Sequence, residues 1–376
     1  MTKPTRDEYL RWRTPVRGAD NPQRMTNPLW EWCVKNPMSA YGVNQAFDGP
    51  EEMPTEPRWC FDRLGQAKVD LPDGRTVYIA GEHEDYYDPD YYIYNDVVVT
   101  DGEAVEIYGY PREVFPPTDF HTATLIGSEI LLIGNLGYPE DRRPDRTQVV
   151  RLNLDDWCVA AIDTNGDGPG WIHKHRAVHL PDERAIALTG GLRDDRDLLE
   201  NLDEYRLCLE TLRWTKCTDR RWPRFILRRG DRGMNRLWEI RSAGWFRDIP
   251  PPSAAEMRAS MPELAEEQIE AISAYKPPTA SEESLQAIKT LYQSPFSEEI
   301  AEERITEEED GEASGFGRYL LSIDGTTVRF DEETDRVVVT VEGELPAATL
   351  DAVVSNLRDR LTAVEGAAYE AVRVDG

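Results

Sequence analysis

The chain has 376 residues, with 71 acidic against 43 basic side chains and a formal net charge of −28. A field of that sign repels phosphate backbones and anionic lipid surfaces, which excludes bulk attraction to nucleic acid or membrane as the basis of its function. Hydrophobic residues make up 40%, including ten Trp and sixteen Tyr, enough for a core and too many for global disorder.

The length predicts two or three domains. No run approaches about 18 apolar residues, so no transmembrane helix is expected. The start, Met1 to Glu8, lacks the apolar stretch of a signal peptide. Both features predict a cytoplasmic protein. Cys33, Cys60, Cys158, Cys208 and Cys217 are odd in number, widely spaced and without a C-x-x-C pair. They read as small buried hydrophobes rather than a disulfide framework or a zinc site.

Residues 1–57 read as an irregular arm, because Asn-Pro and Glu-Pro steps break both regular patterns. Trp30, Trp32 and Trp59 are too apolar to stay in solvent, so the arm is expected to pack on the unit C-terminal to it. Residues 58–250 form that next unit, and 58–220 of it are periodic. Ala67, Ala123 and Ala177 recur at nearly equal spacing, as do Tyr94, Val150 and Tyr205. Each repeat reads as a strand, a turn, an apolar strand closed by Gly, a loop, a strand, a turn and a last strand. The Gly positions are Ala80-Gly81, Ile133-Gly134 and Gly190-Gly191, and Trp157 and Trp214 come after a turn. A repeat of this length denotes one supersecondary unit copied several times.

These features resemble the kelch repeat of β-propellers over roughly residues 58–220. The resemblance implies a mainly β, kelch-like propeller. Three units are fewer than a kelch ring uses, so the propeller is either completed by residues 1–57 and 221–250 or left incomplete. The number of blades and closure within one chain stay open.

Residues 219–247 carry nine Arg against three acids, interleaved with Trp222, Phe225, Trp238, Trp245 and Phe246. The segment 251–315 is acidic and predicted helical, with sixteen acidic against four basic residues from 253 to 315. Ser260-x-x-Glu263 reads as a capping box, and Ser281 opens a second helix. The Arg-rich stretch is expected to pair with this linker. Residues 316–376 read as a small α+β domain of order βββαβ, with a hairpin turn at Asp324-Gly325 and a helix begun by Pro346.

The densest chemistry lies at Glu82, His83, Glu84, Asp85, Tyr86, Asp88 and Asp90. Carboxylates around an imidazole suit acid–base work or a divalent cation. Neighbours on a strand point to opposite faces, so the expected reading is a partner-binding face, which also takes in His121, Arg176 and Arg193. Asp163 to Asp167, with Gly168 next, has the spacing of a calcium loop, but Lys174 stands where a bidentate Glu belongs, and a turn is preferred. His121, His173 and His175 can converge, which permits a metal without requiring one. No nucleophile, phosphate or dinucleotide motif is present. The expectation is therefore a non-enzymatic kelch-type interaction or scaffold protein without cofactor or metal, with a protein partner and an open oligomeric state. Two alternatives are a regulatory protein whose linker is cleaved or rearranged, and a carbohydrate-active kelch enzyme using His83, Glu84, His121 and Arg176.

Overall fold

A computed structural model describes residues 2–49, 56–83, 90–194, 197–248, 251–261, 266–274, 276–296, 300–303 and 317–374. The chain divides into two compact units, Met1–Arg220 and Arg221–Gly376.

The N-terminal unit holds three antiparallel sheets that match the sequence repeat. In the first the order is Gln23–Met25, Val105–Gly109, Val97–Thr100, Thr76–Ile79 and Ala67–Asp70. The second is Val159–Ala161, Val149–Asn153, Glu129–Ile133 and Thr122–Ile126. The third runs Arg213–Lys216, Tyr205–Cys208, Ala185–Thr189 and Arg176–Leu180, with Asn165–Gly166 added in parallel beside Arg213–Lys216. The sheets are open. The expectation of a kelch propeller is therefore wrong, and the fold is mixed α/β with several open antiparallel sheets. Three repeats make these three sheets, and shorter ladders in the joining loops, Ile172–His173 with Leu192–Asp194 and Leu198–Glu200, and Glu82–His83 with Tyr92–Ile93, stand beside them. Past Lys216 the chain leaves, and the next strand, Arg224–Arg229, enters a sheet of the other unit.

Residues 1–57, expected to be irregular, carry helices Arg6–Trp12, Pro28–Lys35 and Ala40–Ala46 and the edge strand Gln23–Met25. Thr5 and Glu8 form a reciprocal capping box, and Asn27 caps the second helix through Leu29 and Trp30. Trp30 stacks on Trp59 at 5.1 Å, and both join Tyr9, Phe47, Val98 and Ile107 in one core. The guanidinium of Arg63, wholly buried, donates to Asp96 at 2.5 and 3.0 Å and lies over Tyr94. That bidentate pair satisfies a charge that would be costly to bury alone.

Sheet joins to sheet through residues in the left-handed backbone region. Gly65, Phe120 and Lys174 have φ of 60°, 49° and 55°. Phe120 N–H donates to Gly65 O at 2.9 Å, and Lys174 N–H donates to Phe120 O at 2.8 Å. The three positions share the repeat, one per sheet.

In the C-terminal unit a six-stranded antiparallel sheet runs Ile300–Glu303, Gly317–Ile323, Thr326–Glu332, Arg336–Glu342, Arg224–Arg229 and Tyr369–Arg373. Helix Ala347–Glu365 packs on it through Leu350, Val353, Val354, Leu357 and Leu361. Helices Leu237–Asp248 and Glu282–Ile288 share the same core through Leu237, Ile240, Leu285 and Ile288. Strand Arg224–Arg229 and helices Leu237–Asp248 and Glu282–Ile288 are thus part of this unit's core rather than a propeller edge and a linker. Residues 221–376 group as one compact unit, with no independent support for the cleavable-linker reading. Ser260 also differs from expectation: it ends helix Ala254–Ser260, whose capping box is Ser253 with Glu256. Glu263 lies outside the described residues.

Most of the Arg-rich stretch pairs within this unit rather than with the acidic segment. Arg241 donates to Glu332 at 3.0 and 3.2 Å, and Arg229 reaches Asp231 and Glu365. Arg247 bonds Glu282 at 2.9 Å, a contact with the acidic segment itself.

A Cβ on Gly65 would stand 2.5 Å from the backbone N of Phe120, whereas one on Gly74 (φ 89°) meets nothing within 4 Å. Gly74→Ala is therefore expected to cost about 1 kcal/mol of left-handed strain, and Gly65→Ala at least about 2–3 kcal/mol through the added clash. Urea unfolding of both variants checks this, and equal losses would refute the join.

Candidate functional site

The loops that join the sheets gather the titratable groups of the N-terminal unit. Strand Glu82–His83 pairs with Tyr92–Ile93, and its two side chains point to opposite faces.

On one face, Glu82 meets Asp119. Both are buried, at 6% and 0% exposure. Glu82 Oε2 accepts from Tyr91 O–H at 2.8 Å, and Asp119 Oδ1 accepts from Gly137 N–H at 2.7 Å. Asp119 Oδ2 finds no donor among the described residues, and the Glu82 carboxyl is its acidic neighbour. A proton held between the two would supply that donor, since two carboxylates offer acceptors alone. Burial and the neighbouring carboxyl push Glu82 up to about 8, with Tyr91 and Lys174 opposing. Burial also raises Asp119, against the Gly137 hydrogen bond. The pair thus holds one proton at neutral pH. Burial and the Glu82 charge push the Tyr91 phenol far up, so it stays a donor.

On the other face, His83 Nε2 lies 3.1 Å from Asp90 Oδ2, and Nδ1 lies 3.3 Å from Cys60 Sγ. Burial lowers His83 against the pull of Asp90. The neutral ring then donates from Nε2 to Asp90 and accepts from the Cys60 thiol. Thiol, imidazole and carboxylate stand in the order of a nucleophilic relay, but Cys60 and His83 are both 0% exposed. The three groups are committed to one another, and the trio acts as a strut.

His121, His173 and His175 are all buried. Burial holds His121 down to about 4 and His173 and His175 down to about 3. Among the described residues no group of three His, Cys, Asp or Glu is arranged to hold a metal ion.

The structure thus brings together Glu82, His83 and Asp90 of the predicted face and sets the others apart. Glu84, Asp85, Tyr86 and Asp88 lie outside the described residues. His121 sits with His175 instead of His83, Arg193 donates to Pro169 O at 2.7 Å, and Arg176 is exposed. The proposed sugar-pocket set of His83, Glu84, His121 and Arg176 is not assembled, and the carbohydrate-active kelch reading is withdrawn with the propeller. Asp163 to Asp167 make no cation loop; Asn165–Gly166 is a short strand beside Arg213–Lys216. Asp119, Tyr91 and Lys174 were missed by sequence reasoning. A separate cavity of about 390 Å³ in the C-terminal unit, lined by Arg236, Thr279, Ser281, Ser284 and Glu365, contains none of the predicted residues.

No family model matches the chain, and no curated protein matches it. Among solved structures, one named "Structure of YjhT" is similar at 12% identity and a TM-score of 0.31, over 44% of this chain and 54% of that one. So distant a likeness carries no argument about this chain, and the kelch-type interaction or scaffold function expected from the repeat is unsupported. No helix among the described residues is long and apolar enough to cross a membrane.

The carboxyl pair sets a sign for pH dependence. An unfolded Glu releases its proton near pH 4.5, while folded Glu82 holds it to about 8. The folded chain is therefore the better proton binder between those values. Stability from this pair is full below the lower pH and falls by about 1.4 kcal/mol per pH unit for one proton until the upper pH is passed. Glu82→Gln, whose amide donates to Asp119 in place of the proton, is expected to remove that alkaline decline. Chemical unfolding of both chains from pH 5 to 9 measures it, and parallel curves would contradict the shared proton.

Proposed function

We propose that the joined loops of the N-terminal unit form a proton-transfer site for a small polar substrate that enters where those loops part, with Glu82 and Asp119 as acid and base. The observation that carries this reading is the buried Asp119 Oδ2, which finds no donor among the described residues and has a second buried carboxyl, Glu82, as its neighbour. Such a pair offers a donor and an acceptor side by side near neutral pH, which is what general acid–base chemistry requires. Tyr91 steadies Glu82 from one side. Lys174, half-buried, adds positive charge next to Glu82 and suits a substrate that develops negative charge on oxygen, such as a hydroxy or oxo acid. The setting proposed is the cytosol, supported by five free cysteines. A panel of hydroxy and oxo acids, monitored for loss of the C–H proton next to the carboxyl or oxo group to solvent deuterium, tests the reading. Glu82→Gln and Asp119→Asn are each expected to lower exchange by about 100-fold or more. A wild-type chain that exchanges none of the panel, or variants that exchange as fast, refutes it.

A second reading, a protein partner, is favoured by helix Leu237–Asp248. Leu237 and Ile240 face the core, while Trp238 and Trp245 lie 51% and 55% exposed on the outer side. Large exposed aromatics spaced by two helical turns are typical anchors of an interface. Changing both to Ser is expected to abolish affinity capture of that partner while leaving the unfolding midpoint in place. Undiminished capture by the double variant would remove the surface from consideration.

A further inference from the structure

We propose that His121, His173 and His175 form an acid-released latch that holds together the loops joining the second and third sheets. His121 precedes strand Thr122–Ile126, His173 ends strand Ile172–His173, and His175 precedes strand Arg176–Leu180. The three rings thus sit at the entries of two sheets and on the segment that ties them.

The latch has little room, and Thr122 Oγ1 is the one hydrogen-bond partner among the described residues for the ring nitrogens of His121 and His175. His175 packs against Gly134 so closely that a Cβ there would stand 2.5 Å from Cε1 and 2.4 Å from the carbonyl oxygen of Ile172. Its Nε2 lies 3.0 Å from Thr122 Oγ1. Nδ1 of His175, Nδ1 of His173 and both ring nitrogens of His121 are buried without a hydrogen-bond partner among the described residues. The charged groups that face the cluster oppose a further positive charge. His121 and His175 face each other, and Lys174 and Arg142 face His173. The carboxyls on the adjoining loops are committed elsewhere, Asp194 to Arg142 at 2.8 Å and Glu82 and Asp119 to each other. A neutral imidazole tolerates such a wall at the expense of a missing bond. An imidazolium must direct two N–H donors into it without a counter-charge.

A proton therefore binds when the rings reach water, and reaching water means parting the loops. The bonds that part are Asn135 N–H to Ile172 O and Lys174 N–H to Phe120 O, both 2.8 Å. For a ring of ordinary solution acidity when open, moving from pH 7 to pH 5 multiplies the open population by about 25. Rings released together multiply their factors, so the response is steep. The latch is independent of whether the carboxyl pair transfers protons.

Hydrogen exchange of the full-length chain, read by mass spectrometry from pH 7.5 to 5 and corrected for the intrinsic rate, tests it. The segments 119–122, 134–137 and 171–176 are expected to lose protection about 100-fold or more between pH 7 and 5, while strands Val97–Thr100 and Ala185–Thr189 keep theirs. Constant protection of 171–176, or its loss together with those strands, overturns the latch. His121→Gln and His175→Gln, where folded, are expected to lower the pH response by about the factor of one ring. An undiminished response in both would also overturn it, and the wild-type measurement decides alone if neither folds.

Discussion

Phe120 and Lys174 occupy backbone geometry that residues with a Cβ ordinarily avoid, and the N-terminal unit is organised around them. With Gly65 they form a relay in which each N–H donates to the carbonyl of the equivalent residue one sheet back. Left-handed φ costs about 1–2 kcal/mol at each non-glycine position. Two cross-sheet hydrogen bonds offset this, as does Lys174 Nζ resting 4.5 Å above the Phe120 ring. The sharp turn at each point sets where the flanking side chains go. Asp119 and His121 stand on either side of Phe120; His173 and His175 flank Lys174 in the same way. The acid pair and the imidazole cluster are therefore consequences of how sheet is tied to sheet.

Both clusters answer burial in the same manner, by shedding charge. Desolvation disfavours the charged form whichever sign it has, so the carboxyls keep a proton and the imidazoles refuse one. The C-terminal unit answers differently. Its buried acids, Glu332 and Glu365, stay matched with Arg241 and Arg229, and Tyr292 O–H adds a 2.7 Å bond to Glu332. An arginine keeps its charge at any working pH, so these pairs hold where the other unit's clusters respond. Glu333, raised by burial against the pull of Arg336, is the exception in the C-terminal unit.

The sequence repeat was legible as units and misleading as a ring. Ala67, Ala123 and Ala177 each fall at the start of a sheet, and Gly81, Gly134 and Gly191 each take positive φ where an apolar strand ends. Periodicity reports how often a unit is copied but not whether the copies close. The Glu82–His83–Asp90 concentration was visible because it is local. Asp119 was not: between Thr118 and Phe120 it has no acidic neighbour, and its partner is 37 positions away along the chain. The signal that could have found it is the alignment of Gly65, Phe120 and Lys174. A glycine in one copy of a position marks left-handed backbone in the others, and residues beside such points are placed by the fold rather than by solvent.

The charge inversion at 219–247 was also read with its sign right and its setting wrong. Phe225 and Leu227 alternate with Arg224, Ile226 and Arg228, a period of two. Taken as a patch, that stretch suggested an Arg-rich edge that pairs with an acidic linker. Taken as a strand, it demands a sheet with an apolar face and a largely polar face. The C-terminal sheet provides both: Val337 and Val339 lie in register with Leu227 and Phe225, and Arg336 and Thr340 with Arg228 and Arg224. Helix Leu237–Asp248 then has to pack on the same unit, because its neighbour in sequence is fixed there, and Arg241 comes to rest on Glu332. One strand's face preference thus settles to which unit more than sixty residues beyond it belong, and it ends the repeat of the N-terminal unit at three copies.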